Sequence, residues 1–376
     1  MTRPLRPRRV PLLAVARHLT LVLALAALPS LARADAASAL AAAQARVAAQ
    51  DWPAAQSAAQ GAGAVAADIV EWQRLRAGEG LLGDYEAFLA RRPDWPGLPF
   101  LRQKGETAVA RSSTPARVIG YFGAAKPATG GGALALVQAL QAAGRGAEAE
   151  AEALRAWREL PFTAAEEAAL LALYPAALRG AHEARLDRLL WQDKAAETRR
   201  MLPRVSPGWQ ALAAARMGLR AEAAGVTALI KAVPQELAGD PGLAYERFVW
   251  RMRKDLTEDA LALILERSKT AASLGDPAPW AERRAVLARG LFRAGKAEAA
   301  YKVAASHHLS GGGDYADLEF LAGFIALRGL GDAATALDHF ARLKAAVVTP
   351  ISLSRAHYWE GRAQEARGAA EAARAA

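Results

Sequence analysis

The sequence predicts an all-α fold built as a solenoid of paired antiparallel helices, and three observations predict it. From Trp280 to Ala376 a helix, a tight polar turn and a second helix recur three times. The turns are Gly295-Lys296-Ala297-Glu298-Ala299-Ala300, Gly331-Asp332-Ala333-Ala334-Thr335-Ala336 and Gly368-Ala369-Ala370-Glu371-Ala372-Ala373, spaced 36 and 37 residues apart. A period of that length marks stacked helical pairs. Apolar residues make up 53% of the 376-residue chain but aromatics only 7%, so much of the apolar share is alanine, the strongest helix former. No short Val/Ile/Thr-rich alternation occurs, and no sheet is expected.

Each regular repeat carries a glycine in the helix before the turn (Gly290, Gly323, Gly361) and small residues in the helix after it, a pattern expected to bring the two helices close. Each pair then needs a neighbour to cover its apolar face. The sequence ends at Ala376 inside or just after a second helix, without a polar capping helix, so the natural product is expected to continue.

Residues 1–34 read as a secretory signal. Arg3, Arg6, Arg8 and Arg9 form a basic start, Leu19 to Leu28 an apolar core, and Ala32-Arg33-Ala34 a small-x-small site with cleavage expected after Ala34. Arg17 and His18 shorten the apolar run to about half of the ~20 residues a membrane span needs, so no stable anchor is expected. Cleavage removes six arginines and no acid, which takes the formal charge from +10 to +4. The basicity is thus mostly the export signal, and no nucleic-acid partner is expected, although a modest positive balance suits an anionic polymer. The absence of cysteine excludes disulfides and thiol chemistry.

From Asp35 onward the chain reads as roughly twenty short helices. Asp51 is placed to cap a helix with Pro53 in its first turn. Thr114-Pro115, Ser206-Pro207, Asp240-Pro241, Asp276-Pro277 and Thr349-Pro350 repeat that start signal. Thr163-Ala164-Ala165-Glu166 has the pattern of a capping box. Apolar stripes appear at Leu186/Leu189/Leu190, Leu261/Ile264/Leu265 and Leu318/Leu321/Ile325. Before Trp280 the turns Gln50-Asp51, Gly144-Arg145 and Gln192-Asp193 resemble the later ones without constant spacing. The runs Gly130–Gly132 and Gly311–Gly313 read as loops, and no long linker divides residues 35–376.

Few residues suggest chemistry. Glu166 and Glu167 sit in an opening helical turn, where acids favour the dipole. Adjacent positions on a helix point about 100° apart, so His307-His308 suits a shared metal poorly. His182-Glu183 lacks the second histidine of a zinc motif, Gly61-Ala62-Gly63 has no preceding strand, and no Walker sequence occurs. No catalytic residue, metal or cofactor is expected in this chain. The informative stretch is Tyr245 to Lys254: Arg247, Arg251 and Lys254 follow i, i+4, i+7 on one helical face, with Trp250 nearby. They read either as a solvated face over a buried aromatic stripe or as a groove for an anionic glycan or peptide.

Ala356-His357-Tyr358-Trp359-Glu360-Gly361-Arg362-Ala363-Gln364-Glu365-Ala366 resembles the A-x-Y-W-x-G-R-A-x-E-A signature of soluble lytic murein transglycosylases. Residues 68–76 (Asp68 to Arg76), 94–99 (Asp94 to Pro99) and 245–254 are similar to stretches of alphaproteobacterial members, so the likeness covers nearly the whole mature chain. The resemblance implies a periplasmic, right-handed, tetratricopeptide-like superhelix of residues 35–376, curved or ring-forming, most regular over 280–376. In that family a C-terminal lysozyme-like domain follows in cis and cleaves the MurNAc–GlcNAc bond of peptidoglycan to a 1,6-anhydro product. One glutamate of an E-S-x-F type motif serves there as acid and then base. No glutamate here precedes a serine, so the catalytic domain is expected to be absent and the chain itself non-catalytic. Tyr358, Trp359 and Arg362, at the end nearest that domain, are the expected interdomain contact. A stand-alone periplasmic adaptor without enzymatic activity is the alternative.

Overall fold

The computed structural model describes residues 35–376, and the signal segment 1–34 with its expected cleavage after Ala34 lies outside them. Among the described residues the fold is all-helical with no strand, and no helix is long and apolar enough to cross a membrane. The chain forms two compact units, the first comprising residues 35–156 and 162–175, the second 157–161 and 176–376.

The first unit contains α1 (35–48), α2 (Trp52–Gln60), α3 (Ala64–Ala77), α4 (Leu82–Arg91), α5 (Leu98–Val109), α6 (Pro115–Phe122), α7 (Gly130–Ala142), most of α8 (Gly146–Glu159) and α9 (Ala164–Leu173). Helix α3 packs on α2, α4 and α5, and α7 packs on α5, α6 and α9. Leu75, Tyr85, Phe88, Leu101 and Val109 are buried, and the two buried tyrosine hydroxyls are satisfied: Tyr85 donates to Leu75 O at 2.8 Å and Tyr121 to Arg102 O at 2.7 Å. The expected capping box is present, with Thr163 N donating to Glu166 Oε2 at 2.8 Å and Glu166 N to Thr163 Oγ1 at 3.3 Å.

The glycine runs differ from expectation, because both open helices instead of forming loops. Gly130 begins α7 because Thr129 caps it and the buried Glu106 accepts from the Ala128 and Thr129 amides at 2.8 Å. That carboxylate lies so close to Gly132 that an added Cβ would stand 2.3 Å from its Oε2, so a side chain there would have to displace the glutamate that bonds the Ala128 and Thr129 amides.

The second unit contains α10 (Pro175–Arg179), α11 (His182–Trp191), α12 (Ala195–Met201), α13 (Pro207–Arg220), α14 (Val226–Lys231), α15 (Pro241–Arg253), α16 (Thr257–Arg267) and α17 (Ala271–Leu274). It continues with α18 (Ala281–Arg293), α19 (Ala297–Ala305), α20 (Gly312–Gly329), α21 (Ala333–Ala346), α22 (Pro350–Ala366) and α23 (Ala370–Ala375). From α18 to α23 each helix packs on the next, and α18 and α20 also reach the next but one. Gly323 is needed there, since a Cβ would meet Phe340 at 2.7 Å, and at Gly361 one would meet Ala373 O at 3.2 Å, whereas nothing lies within 4 Å at Gly290.

One turn recurs through this unit. Gly295, Gly331 and Gly368 take positive φ, and Asp193, Glu222 and Asp255 occupy the same position with φ of 52–55°. At Asp193, Glu222, Asp255, Gly295 and Gly368 the next amide returns to the carbonyl five residues back, at 2.9–3.0 Å, which closes a Schellman cap. The sequence marks this turn where glycine fills it and at Gln192-Asp193, but not at Glu222 or Asp255. A left-handed non-glycine residue costs ~1–2 kcal/mol, so Asp255→Gly is expected to raise stability by up to about 1 kcal/mol after the entropy glycine adds to the unfolded chain. Denaturant midpoints of the two proteins check it, and a lower midpoint for the variant would contradict the turn geometry.

Arginines also seal helix C-terminal ends. Arg185 donates to Trp157 O and Leu160 O, both at 2.9 Å, at the end of α8. Arg220 reaches Leu190 O of α11 at 2.7 Å, Arg253 reaches Arg220 O of α13 at 2.9 Å, and Arg284 reaches Val303 O of α19 at 2.7 Å. Each places a cation at the negative end of a helix and satisfies carbonyls the helix cannot. Arg284 is buried, which pulls its pKa down to about 10.

Candidate functional site

Helix α15 carries the basic stretch, and its start is fixed by Asp240, whose side chain accepts from Leu243 N at 2.6 Å ahead of Pro241. Phe248 and Val249 go into the core, which leaves Arg247 and Arg251 half-buried on one face. The four expected groove residues then part. Lys254 Nζ lies 2.6 Å from Glu222 Oε2, and Trp250 packs on the apolar cluster of Leu212, Leu219 and Leu243. Arg251 donates to Asp259 O at 2.9 Å. Arg247 forms no hydrogen bond or ion pair among the described residues.

A third guanidinium joins them. Arg267, the last residue of α16, donates to Gly239 O at 2.9 Å while its Nε is buried without a partner. Burial first, then the charges of Arg251 and Arg267, hold the Arg247 pKa below its ordinary value, with Glu266 opposing. Arginine stays charged at neutral pH all the same, so the cluster holds mutual repulsion that a carboxylate or phosphate would relieve through paired hydrogen bonds. Sequence reading missed Arg267 because it reaches α15 from a different helix.

The expected interdomain residues lie on α22 and also part. Trp359 closes an aromatic cluster, with ring centroids 5.0 Å from Phe324, 6.0 Å from Phe320 and 6.3 Å from Phe340. Arg362 pairs with Glu365 at 2.5 Å, beside a cleft of about 300 Å³ lined by Leu327, Arg328 and Trp359. Tyr358 is 61% exposed and shares its face with Ile351, at 85%, seven residues earlier.

His307 and His308 lie beyond the end of α19 instead of on a helix. His308 Nε2 sits 2.8 Å from Ser268 O, and His307 Nδ1 accepts from Leu309 N at 3.0 Å, which puts its proton on Nε2, 3.3 Å from Glu319 Oε1. Glu319 also takes His339 Nδ1 at 2.6 Å and Arg342 Nε at 3.0 Å, while His339 Nε2 meets the Tyr301 hydroxyl at 3.1 Å. The connectivity of Tyr301, His339 and Glu319 is that of a nucleophile relay, but burial pushes the Tyr301 hydroxyl up in pKa, the wrong direction for a nucleophile. Burial would raise the Glu319 carboxyl as well; the hydrogen bonds from His307, His339 and Arg342 outweigh it and hold the group well below the usual range. This buried network joins α19, α20 and α21. Among the described residues no group of three or more acids and histidines is placed to hold a metal.

No protein-family model, curated protein or solved structure matches the chain.

Proposed function

We propose that residues 35–376 are the helical scaffold of a periplasmic lytic murein transglycosylase, a right-handed superhelix of helix pairs that holds peptidoglycan for a catalytic domain in cis. The single observation that carries the reading is the convergence of Arg247, Arg251 and Arg267 from two helices, opposed by Glu266, suited to the carboxylates of murein stem peptides. The succession of neighbouring helices from α18 to α23 supports the superhelix. The Ala356 to Ala366 signature supports the family, and the basic, apolar and small-residue order of residues 1–34 supports export.

Chemistry is assigned elsewhere because a lytic general acid needs a carboxyl kept protonated in an open cleft. Among the described residues Asp240 has its pKa raised, by burial, and it caps α15 with its carboxylate 3.6 Å from Arg216. Purified 35–376 is therefore expected to sediment with isolated sacculi and to release no 1,6-anhydro muropeptides on chromatography of the supernatant. Release of such products would contradict the scaffold reading.

The adaptor reading keeps one observation in its favour, the exposed Val348, Ile351 and Tyr358 around α22, a surface suited to an apolar partner. The intact mass of the native processed protein separates the two. A mass larger by a further domain supports the scaffold, and a mass ending at Ala376 supports the adaptor.

A further inference from the structure

The first unit holds a second feature, one the basic cluster does not use. A cleft of about 490 Å³ opens between α2, α3 and α4, lined by Gln56, Gln60, Asp68, Glu71, Asp84 and Arg91. That volume lies within the ~300–1,000 Å³ range of small-molecule sites.

Its charged walls are fixed in place. Asp68, which is buried, accepts from Arg91 at 3.0 Å and from Arg92. Glu71 accepts from Gln56 Nε2 at 2.7 Å and from Arg74 at 2.8 Å, and Arg74 also binds Asp84 Oδ2 at 2.9 Å. The three carboxylates are thus each paired with guanidiniums, Arg91 in the lining and Arg74 and Arg92 outside it, so none is left as an unpaired charge with which to select an ion. Holding these groups in fixed pairs lowers the ordering cost of binding.

What is left over is a mixed set. Gln56 Oε1 and Asp84 Oδ1 remain as acceptors, Arg91 Nη1 remains as a donor, and the exposed Gln60 amide, which makes no bond within the described residues, offers both. A hydroxyl group both donates and accepts, so a row of hydroxyls satisfies such a set where an ion or an apolar group satisfies half of it or none. We infer that this cleft is a subsite for an uncharged polyhydroxylated ligand, in the size class of one or two sugar rings. Its assignment to a glycan strand rests on the proposed function; the hydroxyl chemistry does not.

Calorimetric titration of the 35–376 chain with fully N-acetylated chitotetraose, a neutral amino-sugar oligomer, tests the subsite. Saturable binding is expected, weakened about fivefold by Gln60→Ala and further by Gln56→Ala/Gln60→Ala. Gln60 has no partner to lose, so the thermal midpoint of Gln60→Ala should equal that of the parent. Absence of saturable heat, or equal affinity in the glutamine variants, overturns the inference. Sacculus binding without chitotetraose binding removes the subsite and leaves the scaffold reading standing, whereas chitotetraose binding without sacculus binding does the reverse.

Discussion

Glu319→Ala is expected to destabilise the protein by about 3–5 kcal/mol, the cost of removing one partner from a buried ionic network. The carboxylate takes His307, His339 and Arg342 from three directions, and its side chain is only 6% exposed. Its loss leaves the bonded face of two buried histidines without a partner, removes an acceptor from the half-exposed Arg342 and opens a cavity among α19, α20 and α21. Glu319→Gln keeps the volume and separates the two effects. The group's pKa is lowered on folding, so its contribution is complete above the unfolded carboxylate value of ~4.3 and is lost as pH falls below it toward the folded value. The stability gap between parent and Glu319→Gln should therefore be constant from pH 8 to about 5 and narrow in stronger acid. Urea midpoints across that range check this, and a gap that widens on acidification would contradict it.

Trp280→Ala is the second large expected loss, again about 3–5 kcal/mol. Trp280 is fully buried in the short turn Ala278–Trp280 that enters α18. Its ring stacks on Phe248 with centroids 5.3 Å apart and meets Tyr245 edge-on at 5.3 Å, while its Nε1 donates to Leu274 O at 3.1 Å. One side chain thereby joins α15, α17 and α18. Trp280→Phe retains the stacking surface and loses the hydrogen bond, so it should cost less than half as much in denaturant unfolding. Equal losses for the two variants would mean that ring packing contributes little.

The helices were legible because their punctuation is local. Thr163 with Glu166, Asp240 ahead of Pro241 and Thr349 ahead of Pro350 each act within four residues, as caps do. The turns at Glu222 and Asp255 were not marked because neither position holds the glycine that identifies the regular copies; Glu222 has no turn preference, and a lone Asp255 without a neighbouring glycine fits a helix start equally well. The glycine runs misled because a capping Thr129 and a distant Glu106 convert one of them into a helix start. At the basic face, spacing placed Arg247 and Arg251 together. It could not show that Glu222, 32 residues upstream, takes Lys254, or that Arg267 arrives from α16. Side chains that meet across helices are set by packing, and one sequence carries no direct signal of it.

The arginine cluster therefore bears the functional reading, and it is accessible to one measurement. The bound fraction of the 35–376 chain on purified sacculi should be determined by co-sedimentation across a salt series, beside Arg247→Ala/Arg251→Ala/Arg267→Ala. The scaffold account predicts saturable binding that weakens with salt and falls about tenfold or more in the triple variant, with helicity retained. Equal sedimentation of parent and variant at every salt concentration, or no sedimentation of the parent, would contradict it.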